Sequence, residues 1–157
     1  MSDWIEAGQK APDFTLATDA GTKVTLSKLR GKPVVLYFYP RDDTPGCTAE
    51  ACAFRDQHAE LARRGAQVLG LSTDSVESHE KFRDKFHLNF PLLADAEHAV
   101  AEKYGAWREK IRFGKASLGI QRSTYLIDAE GTVRKVWKSV TVEGHDQQVL
   151  EALDELS

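Results

Sequence analysis

The two cysteines of the chain, Cys47 and Cys52, are the residues whose types and spacing point most directly to chemistry. Cys47 follows a polar turn over residues 41–46 and precedes a run of good helix formers over residues 48–64. At a helix start, unpaired backbone N–H groups and the positive end of the helix dipole favour an anion. We therefore expect Cys47 to hold more thiolate than an ordinary cysteine does, as a reactive nucleophile requires.

A buried strand is predicted to carry the chain to this cysteine. Residues 34–39 read Val-Val-Leu-Tyr-Phe-Tyr, an unbroken apolar and aromatic run that suits a strand covered on both faces, and Pro40 stops it. After the helix, Gly65 is a helix-end signal, and residues 66–72 form a second apolar strand. Strand, helix and strand at this spacing predict a βαβ unit with parallel pairing and a right-handed crossover.

The remaining elements are predicted from turn residues and hydrophobic periodicity. A helix begins at Ser75 with Phe82 and Phe86 as its buried stripe. The other predictions are a hairpin over residues 14–26, strands at 91–94, 123–128 and 132–138, helices at 97–104 and 145–156, and a long loop at 106–119. This order predicts an α/β fold close to a thioredoxin-like arrangement, with a mixed central sheet flanked by helices and an N-terminal β-hairpin.

Length and charge limit the classes of function. The 157 residues suit one domain, residues 1–157, with its own core. A net charge of -3 gives no basic field for nucleic acid or an acidic membrane, so the expected partners are small molecules or proteins. The N-terminal residues lack an apolar segment, which predicts a cytoplasmic protein. Two cysteines are too few for a secreted disulfide framework, and they indicate redox-active thiols.

The residues around Cys47 resemble a known enzyme family. The pattern Pro40-x-x-x-Thr44-x-x-Cys47 resembles the signature of peroxiredoxins, which are thiol-dependent peroxidases on a thioredoxin fold. Residues 42–52, Asp-x-Thr-Pro-Gly-Cys-Thr-x-Glu-x-Cys, are similar to the bacterioferritin comigratory protein or peroxiredoxin Q subfamily. The likeness continues through Gly105-Ala-Trp107, Gly114-Lys115, residues 119–128 and Gly131, so it covers most of the chain.

The resemblance implies a catalytic site formed by Pro40, Thr44, Cys47 and Arg122. Attack on a peroxide needs a thiolate from Cys47 and positive charge, which Arg122 supplies. The Thr44 hydroxyl is expected to donate to one peroxide oxygen and accept from the other, while the N–H groups of Gly46 and Cys47 act as fixed dipoles. Thr44, Gly46 and Arg122 are thus the expected substrate-binding residues, and Pro40 is expected to keep water from the sulfur.

Simpler interpretations of Thr44, Arg122 and Glu50 stay open from the sequence alone. Thr44 is also a suitable N-cap for the helix. Arg122 is one of many arginines, and its place in Gly-x-x-Arg-Ser-Thr-Tyr is what distinguishes it. Glu50 suits the first turns of a helix because it balances the dipole, and its role is left open.

Peroxide attack would leave Cys47 as a sulfenic acid, and Cys52 is the only other cysteine that can resolve it. On a continuous α-helix, Cα atoms five residues apart lie about 8.6 Å from each other. That separation exceeds the limit of ~7 Å for a disulfide. We therefore expect a reduced state with an intact helix and a disulfide state in which residues 46–55 have rearranged.

Three rival functions remain at the sequence level. A thiol–disulfide reductase would use Cys-x-x-Cys, whereas here four residues intervene. Zinc bound by Cys47, Cys52, His58 and His79 does not fit known ligand spacings. A peroxide sensor would share the first chemical step. The interpretation adopted is a thioredoxin-dependent peroxidase that is monomeric, holds no metal or cofactor, and acts on hydrogen peroxide and alkyl hydroperoxides.

Overall fold

The strand Val34–Phe38 (β3) lies inside a seven-stranded mixed sheet in a computed structural model that describes residues 3–156. The other strands of this sheet are β1 (Thr15–Thr18), β2 (Lys23–Thr25), β4 (Gln67–Ser72), β5 (Leu92–Ala94), β8 (Ser123–Ile127) and β9 (Val133–Trp137). Two further strands, β6 (Trp107–Arg112) and β7 (Lys115–Ile120), pair outside it. The helices are α1 (Pro45–Asp56), α2 (His58–Arg63), α3 (Val76–Phe86), α4 (Ala99–Tyr104) and α5 (His145–Glu155), with a 3₁₀ turn at Leu26–Leu29.

The strand order in the large sheet is β2-β1-β5-β4-β3-β8-β9. β3 pairs in parallel with β4 and antiparallel with β8, so it has a neighbour on each side. All five residues of β3 are buried, which confirms the prediction of a strand covered on both faces. The parallel βαβ unit, the N-terminal hairpin β1–β2 and the antiparallel pair β8–β9 are confirmed as well.

Alternate residues of β3 enter two hydrophobic cores, one on each side of the sheet. Val35 and Tyr37 belong to a core that includes residues of α1, α2, α3 and α5. Leu36 and Phe38 belong to a second core formed with α4 and the N-terminal segment. Apolar burial on both faces holds the end of β3 in place, and that end leads directly into the turn before α1.

The prediction of a long loop at residues 106–119 was wrong, because this segment forms the antiparallel hairpin β6–β7. The two strands pair from Trp107 with Ile120 to Arg112 with Lys115, and Phe113 and Gly114 form the turn. Most of the hairpin is exposed, so burial imposes little hydrophobic alternation on its sequence. The periodicity that identifies a half-buried strand is therefore weak here.

The helix predicted after Cys47 is divided at Gln57, whose ψ of 5° departs from helical geometry. Backbone bonds from Gln57 N to Ala53 O and from Leu61 N to Gln57 O continue across the division, so the departure is local. Gly65 has the positive φ expected of a helix-end glycine, and Ser75 caps α3 by accepting from Ser78 N. Within residues 3–156, no helix combines the length and apolar character needed to cross a bilayer.

Candidate active site

Cys47 lies in the first turn of α1, directly after the turn that follows β3. Thr44, in extended conformation, occupies the N-cap position, and Pro45 is the first helical residue. The bond from Thr48 N to Thr44 O is the first i to i+4 bond of the helix, so the N–H groups of Gly46 and Cys47 precede it. Only 1% of Cys47 is exposed, so this residue of the first turn is largely shielded from water.

The guanidinium of Arg122 lies against the Cys47 sulfur. Arg122 Nη2 donates to Cys47 Sγ at 3.3 Å. Arg122 immediately precedes β8, so the strand next to β3 positions it. A Cβ at Gly46 would lie 3.1 Å from Arg122 Nη2, which indicates that glycine gives the guanidinium room above the first turn. A fixed cation at this distance stabilises a thiolate and a departing oxyanion.

Glu50 is the second partner of Arg122, and this role was not assigned from the sequence. Arg122 Nη1 donates to Glu50 Oε1 at 2.6 Å, and only 2% of Glu50 is exposed. Burial raises the pKa of Glu50 to about 7, although the charge and hydrogen bond of Arg122 act in the opposite direction. Glu50 Oε2 has no hydrogen-bond partner within the described part of the chain. The sequence did contain a signal for this role, because Glu50 lies one helical turn after Cys47 and therefore faces the same side of α1.

The hydroxyl of Thr44, which lies on the turn before α1, donates to a backbone carbonyl. Thr44 Oγ1 donates to the carbonyl of Arg41 at 3.0 Å, and its side chain makes no capping bond to α1. With its proton used in this way, the hydroxyl is left as an acceptor for a peroxide O–H. Pro40 is half-buried at the bend that ends β3.

Cys52 lies in the same helix as Cys47 and is partly buried, and both thiols are free. Helix α1 is continuous from Pro45 to Asp56, so the described state has an intact helix between the two sulfurs. Helical geometry keeps their Cα atoms about 8.6 Å apart. A disulfide between them requires this part of α1 to open.

A buried polar network holds the turn before Cys47, and sequence reasoning missed it. The carboxylate of Asp42 accepts from Tyr39 Oη at 2.6 Å, from Ser78 Oγ at 2.8 Å and from His79 Nδ1 at 2.7 Å. The Asp42 backbone N–H donates to Asp74 Oδ2 at 2.8 Å. The turn is thereby fixed to α3 and to the loop after β4.

His79 is positioned so that both of its ring nitrogens act as donors. Nδ1 faces the Asp42 carboxylate, and Nε2 lies 2.9 Å from the carbonyl oxygen of Leu93, so both neighbours are acceptors. Burial alone would lower the pKa of His79, but the hydrogen bond and charge of Asp42, with the Leu93 carbonyl, outweigh it and raise the pKa. His79 and Asp42 therefore form a buried ion pair beneath the turn that carries Thr44.

The zinc arrangement considered from the sequence is not formed. Across residues 3–156, the ligand-type side chains close enough to share a metal ion are Asp42, Asp74 and His79, and neither cysteine is among them. The atoms of this cluster already bind one another or their protein neighbours. These hydrogen bonds show that the cluster supports the turn before Cys47.

The chain is similar to known proteins over most of its length. The AhpC/TSA family model matches residues 7–136. Peroxiredoxin Bcp of Bacillus subtilis is 51% identical over 153 residues, covering 98% of each chain. The putative peroxiredoxin bcp of Coxiella burnetii is 53% identical over 146 residues, covering 93% of this chain and 97% of the relative.

A solved structure is also similar over nearly the full length. It is the bacterioferritin comigratory protein of Xanthomonas campestris, a protein with alkyl peroxide reduction activity. It matches with a TM-score of 0.90 and 40% identity, over 96% of this chain and 98% of that one. The thioredoxin-like α/β fold predicted from the sequence is thereby confirmed.

Proposed function

Because the chain belongs to the AhpC/TSA family and is a peroxiredoxin, a thiol peroxidase, we propose that Cys47 is its peroxidatic nucleophile and Cys52 its resolving thiol. The observation that carries this proposal is the 3.3 Å contact from Arg122 Nη2 to the Cys47 sulfur. The guanidinium and the N–H groups at the start of α1 are aimed at this sulfur, where they stabilise the negative charge of the transition state when it attacks a peroxide.

In the first step, the Cys47 thiolate attacks one oxygen of hydrogen peroxide or an organic hydroperoxide. The O–O bond breaks as an S–O bond forms, and the leaving oxygen departs as hydroxide or alkoxide that takes up a proton. The backbone N–H groups of Gly46 and Cys47, with Arg122, stabilise the negative charge that moves onto the leaving oxygen. Thr44 accepts from the peroxide O–H, because its own proton is bound to the Arg41 carbonyl.

Glu50 orients Arg122 in this step. Its carboxyl holds one arm of the guanidinium at 2.6 Å while the other arm contacts the sulfur. A carboxyl whose pKa is raised to about 7 is partly protonated near neutral pH, which leaves more of the Arg122 charge to the thiolate. Pro40, at the bend beside the turn, helps to exclude water from the sulfur.

The second step resolves the sulfenic acid. The Cys52 thiol displaces hydroxide from the Cys47 sulfur, which forms the Cys47–Cys52 disulfide and releases water. The first turns of α1 must open for this to happen, because the helix separates the two residues. An external dithiol such as thioredoxin then returns both cysteines to thiols, and it is oxidised to a disulfide by the same two electrons.

A peroxide-consumption assay with thioredoxin and its reductase tests the proposal. We expect catalytic turnover in the parent, none in Cys47→Ser, and a single stoichiometric oxidation in Cys52→Ser. Mass spectrometry of the parent after one equivalent of peroxide should find a peptide linked through residues 47 and 52. Peroxidase turnover in Cys47→Ser would remove Cys47 from its role, and stoichiometric oxidation without turnover in the parent would favour a peroxide sensor.

Further expectations from the sequence accompany this proposal. They are a single domain, a monomeric enzyme, a cytoplasmic location, catalysis without a metal or cofactor, and no binding to nucleic acid or membranes. The reductant is expected to be a protein, because no residue pattern indicates a nicotinamide or flavin site.

A further inference from the structure

The hairpin β6–β7 carries the three exposed large hydrophobic side chains found among residues 3–156. They are Ile111, Phe113 and Leu118, with exposed fractions of 76%, 98% and 56%. Single exposed apolar residues are common on proteins, but their concentration on one projecting element is characteristic of an interaction site. This apolar patch contributes little burial to the fold of the chain itself.

The backbone at the tip strengthens this interpretation. Phe113 and Gly114 form a two-residue turn, and their φ angles are 53° and 77°. Positive φ at both positions suits Asn-Gly far better than a bulky aromatic residue. An aromatic side chain that strains the turn and packs against nothing is better explained by contact with another molecule than by stability.

The hairpin differs in charge from the rest of the chain. It carries four cationic side chains and one acidic side chain, whereas the whole chain has a net charge of -3. In the strand register, Arg112 and Lys115 form the pair next to the tip, directly beside Phe113. A partner that fits this surface has apolar side chains surrounded by acidic ones.

The hairpin also borders the thiol site. Strand β7 ends at Ile120, two residues before Arg122, whose guanidinium contacts the Cys47 sulfur. Burial and the charge of Arg122 lower the pKa of Lys110, while Cys47 acts in the opposite direction, so Lys110 lies within electrostatic reach of both. Lys110 lies on the opposite face of the hairpin from Ile111 and Leu118, because side chains alternate along each strand. The base of the hairpin therefore borders the thiol site, and a protein that covers the hairpin from its tip to its base extends to this site.

We propose that the β6–β7 hairpin is the docking surface for the protein dithiol that reduces the Cys47–Cys52 disulfide, a partner with an apolar and acidic face around its reactive thiol. This inference rests on the proposed function. A partner thiolate attacks one sulfur of the disulfide, and the other cysteine leaves as a thiolate. The second partner thiol then displaces the mixed disulfide, so the chain gains two electrons and two protons and the partner loses them.

The size and charge of the surface favour this occupant over two others. Transient redox encounters use small interfaces, and one exposed hairpin supplies a contact of that class. A symmetric contact with a second copy would bring two cationic hairpins together, which is unfavourable. An anionic bilayer is an extended surface that would also face the net negative remainder of the chain, whereas a small acidic patch on a protein meets the cationic hairpin alone.

The substitution Phe113→Asn tests the proposal without weakening the hairpin. Asn-Gly is the preferred pair for this turn, so the variant removes the apolar tip and relieves the backbone strain. We expect the KM for thioredoxin in steady-state peroxide reduction to rise about tenfold. A loss of this size is usual when one well-packed side chain is removed from a protein–protein interface. Turnover with the small dithiol dithiothreitol should stay unchanged, because that reductant needs no docking surface.

A charge variant tests the second component of the surface. Arg112→Glu combined with Lys115→Glu should raise the KM for thioredoxin and make it less sensitive to salt. Lys23→Glu combined with Lys28→Glu, at exposed positions on edge strand β2 and in the 3₁₀ turn that follows it, is the matched control and should leave both properties unchanged.

The outcomes separate this inference from the proposed function. Absence of parent turnover with dithiothreitol would contradict the peroxidase mechanism itself. Normal turnover with dithiothreitol and an unchanged thioredoxin KM in Phe113→Asn would overturn the docking surface alone. A dimer in sedimentation, or binding to phosphatidylglycerol vesicles, that Phe113→Asn abolishes would assign the hairpin to a different occupant and would also overturn it.

Discussion

Arg122 and Cys47, 75 positions apart in the sequence, are joined by a contact of 3.3 Å between guanidinium and sulfur. The other arm of the same guanidinium binds Glu50 at 2.6 Å. One cation is thus shared by a nucleophile and a buried carboxyl group.

Removal of the Arg122 charge should slow peroxide reduction. The chain should still fold, because the Glu50 carboxyl, whose pKa burial raises to about 7, can hold its proton when the partner is removed. We expect Arg122→Met to lower the second-order rate constant for peroxide by about 10²- to 10³-fold, the usual cost of losing one group that stabilises transition-state charge. Arg122→Lys should retain part of the activity, because it keeps the charge but loses the two-armed geometry. Stopped-flow measurement of sulfenic acid formation gives these constants.

The matched control for Arg122 is Arg63→Met, which removes an exposed arginine on α2 that pairs with Glu60. Its rate constant should equal that of the parent. A parent-like rate constant in Arg122→Met would show that the contact between Arg122 and the sulfur does not contribute to catalysis.

Replacement of Glu50 by Gln should change how stability depends on pH. The folded chain binds the Glu50 proton more tightly than the unfolded chain, because burial raises the pKa from 4.5 to about 7. The parent therefore loses stability relative to Glu50→Gln as pH rises through this window, and the difference is complete above the folded pKa. Urea unfolding of the reduced protein at a series of pH values measures it.

The control for this comparison is Glu151→Gln, which replaces an exposed carboxylate on α5. Its stability curve should run parallel to that of the parent over the same pH range. If the curve of Glu50→Gln also runs parallel to that of the parent, Glu50 does not titrate as a buried group.

Loss of His79 should destabilise the fold. It should also remove the part of the pH dependence of stability that comes from titration of His79. His79→Gln leaves the buried Asp42 carboxylate without its cationic partner, which costs about 3 kcal/mol of the free energy of unfolding. Because the folded pKa of His79 is raised, its contribution is complete below the unfolded value of about 6.5 and is lost as pH rises through the folded pKa. Thermal unfolding of parent and variant at a series of pH values across this range reveals it.

His58→Gln is the comparison variant for His79, because His58 is half-buried at the start of α2 and lies outside the Asp42 network. It should lose little stability. Equal losses in the two histidine variants would contradict the special role assigned to the ion pair.

Oxidation should reduce helix content in the parent but not in Cys52→Ser. One equivalent of peroxide leads to the Cys47–Cys52 disulfide, and α1 must open to allow it. Cys52→Ser stops at the sulfenic acid and keeps its helix. Far-ultraviolet circular dichroism before and after peroxide follows the change, and addition of dithiothreitol should restore the parent signal. An unchanged spectrum in a fully disulfide-linked parent would refute opening of the helix.

Local patterns were sufficient for most of the fold. The apolar run at residues 34–39, the helix formers after Cys47 and the turn glycines each describe interactions within a few residues, and these elements are found where they were predicted. The hairpin β6–β7 was missed because its sequence lacks such a local pattern. Its strands pair with each other and remain exposed, so their sequence carries little of the periodicity that burial imposes.

The sequence by itself determined that a cysteine stands where a buried strand passes into a helix, and it indicated which distant arginine to examine. Tertiary structure alone decided that Arg122 is divided between Cys47 and Glu50, and that His79 supports the turn through Asp42. The physical reason is that these contacts join residues far apart in the chain. Their geometry and the pKa shifts that follow depend on burial, which packing of the whole sheet and its helices creates.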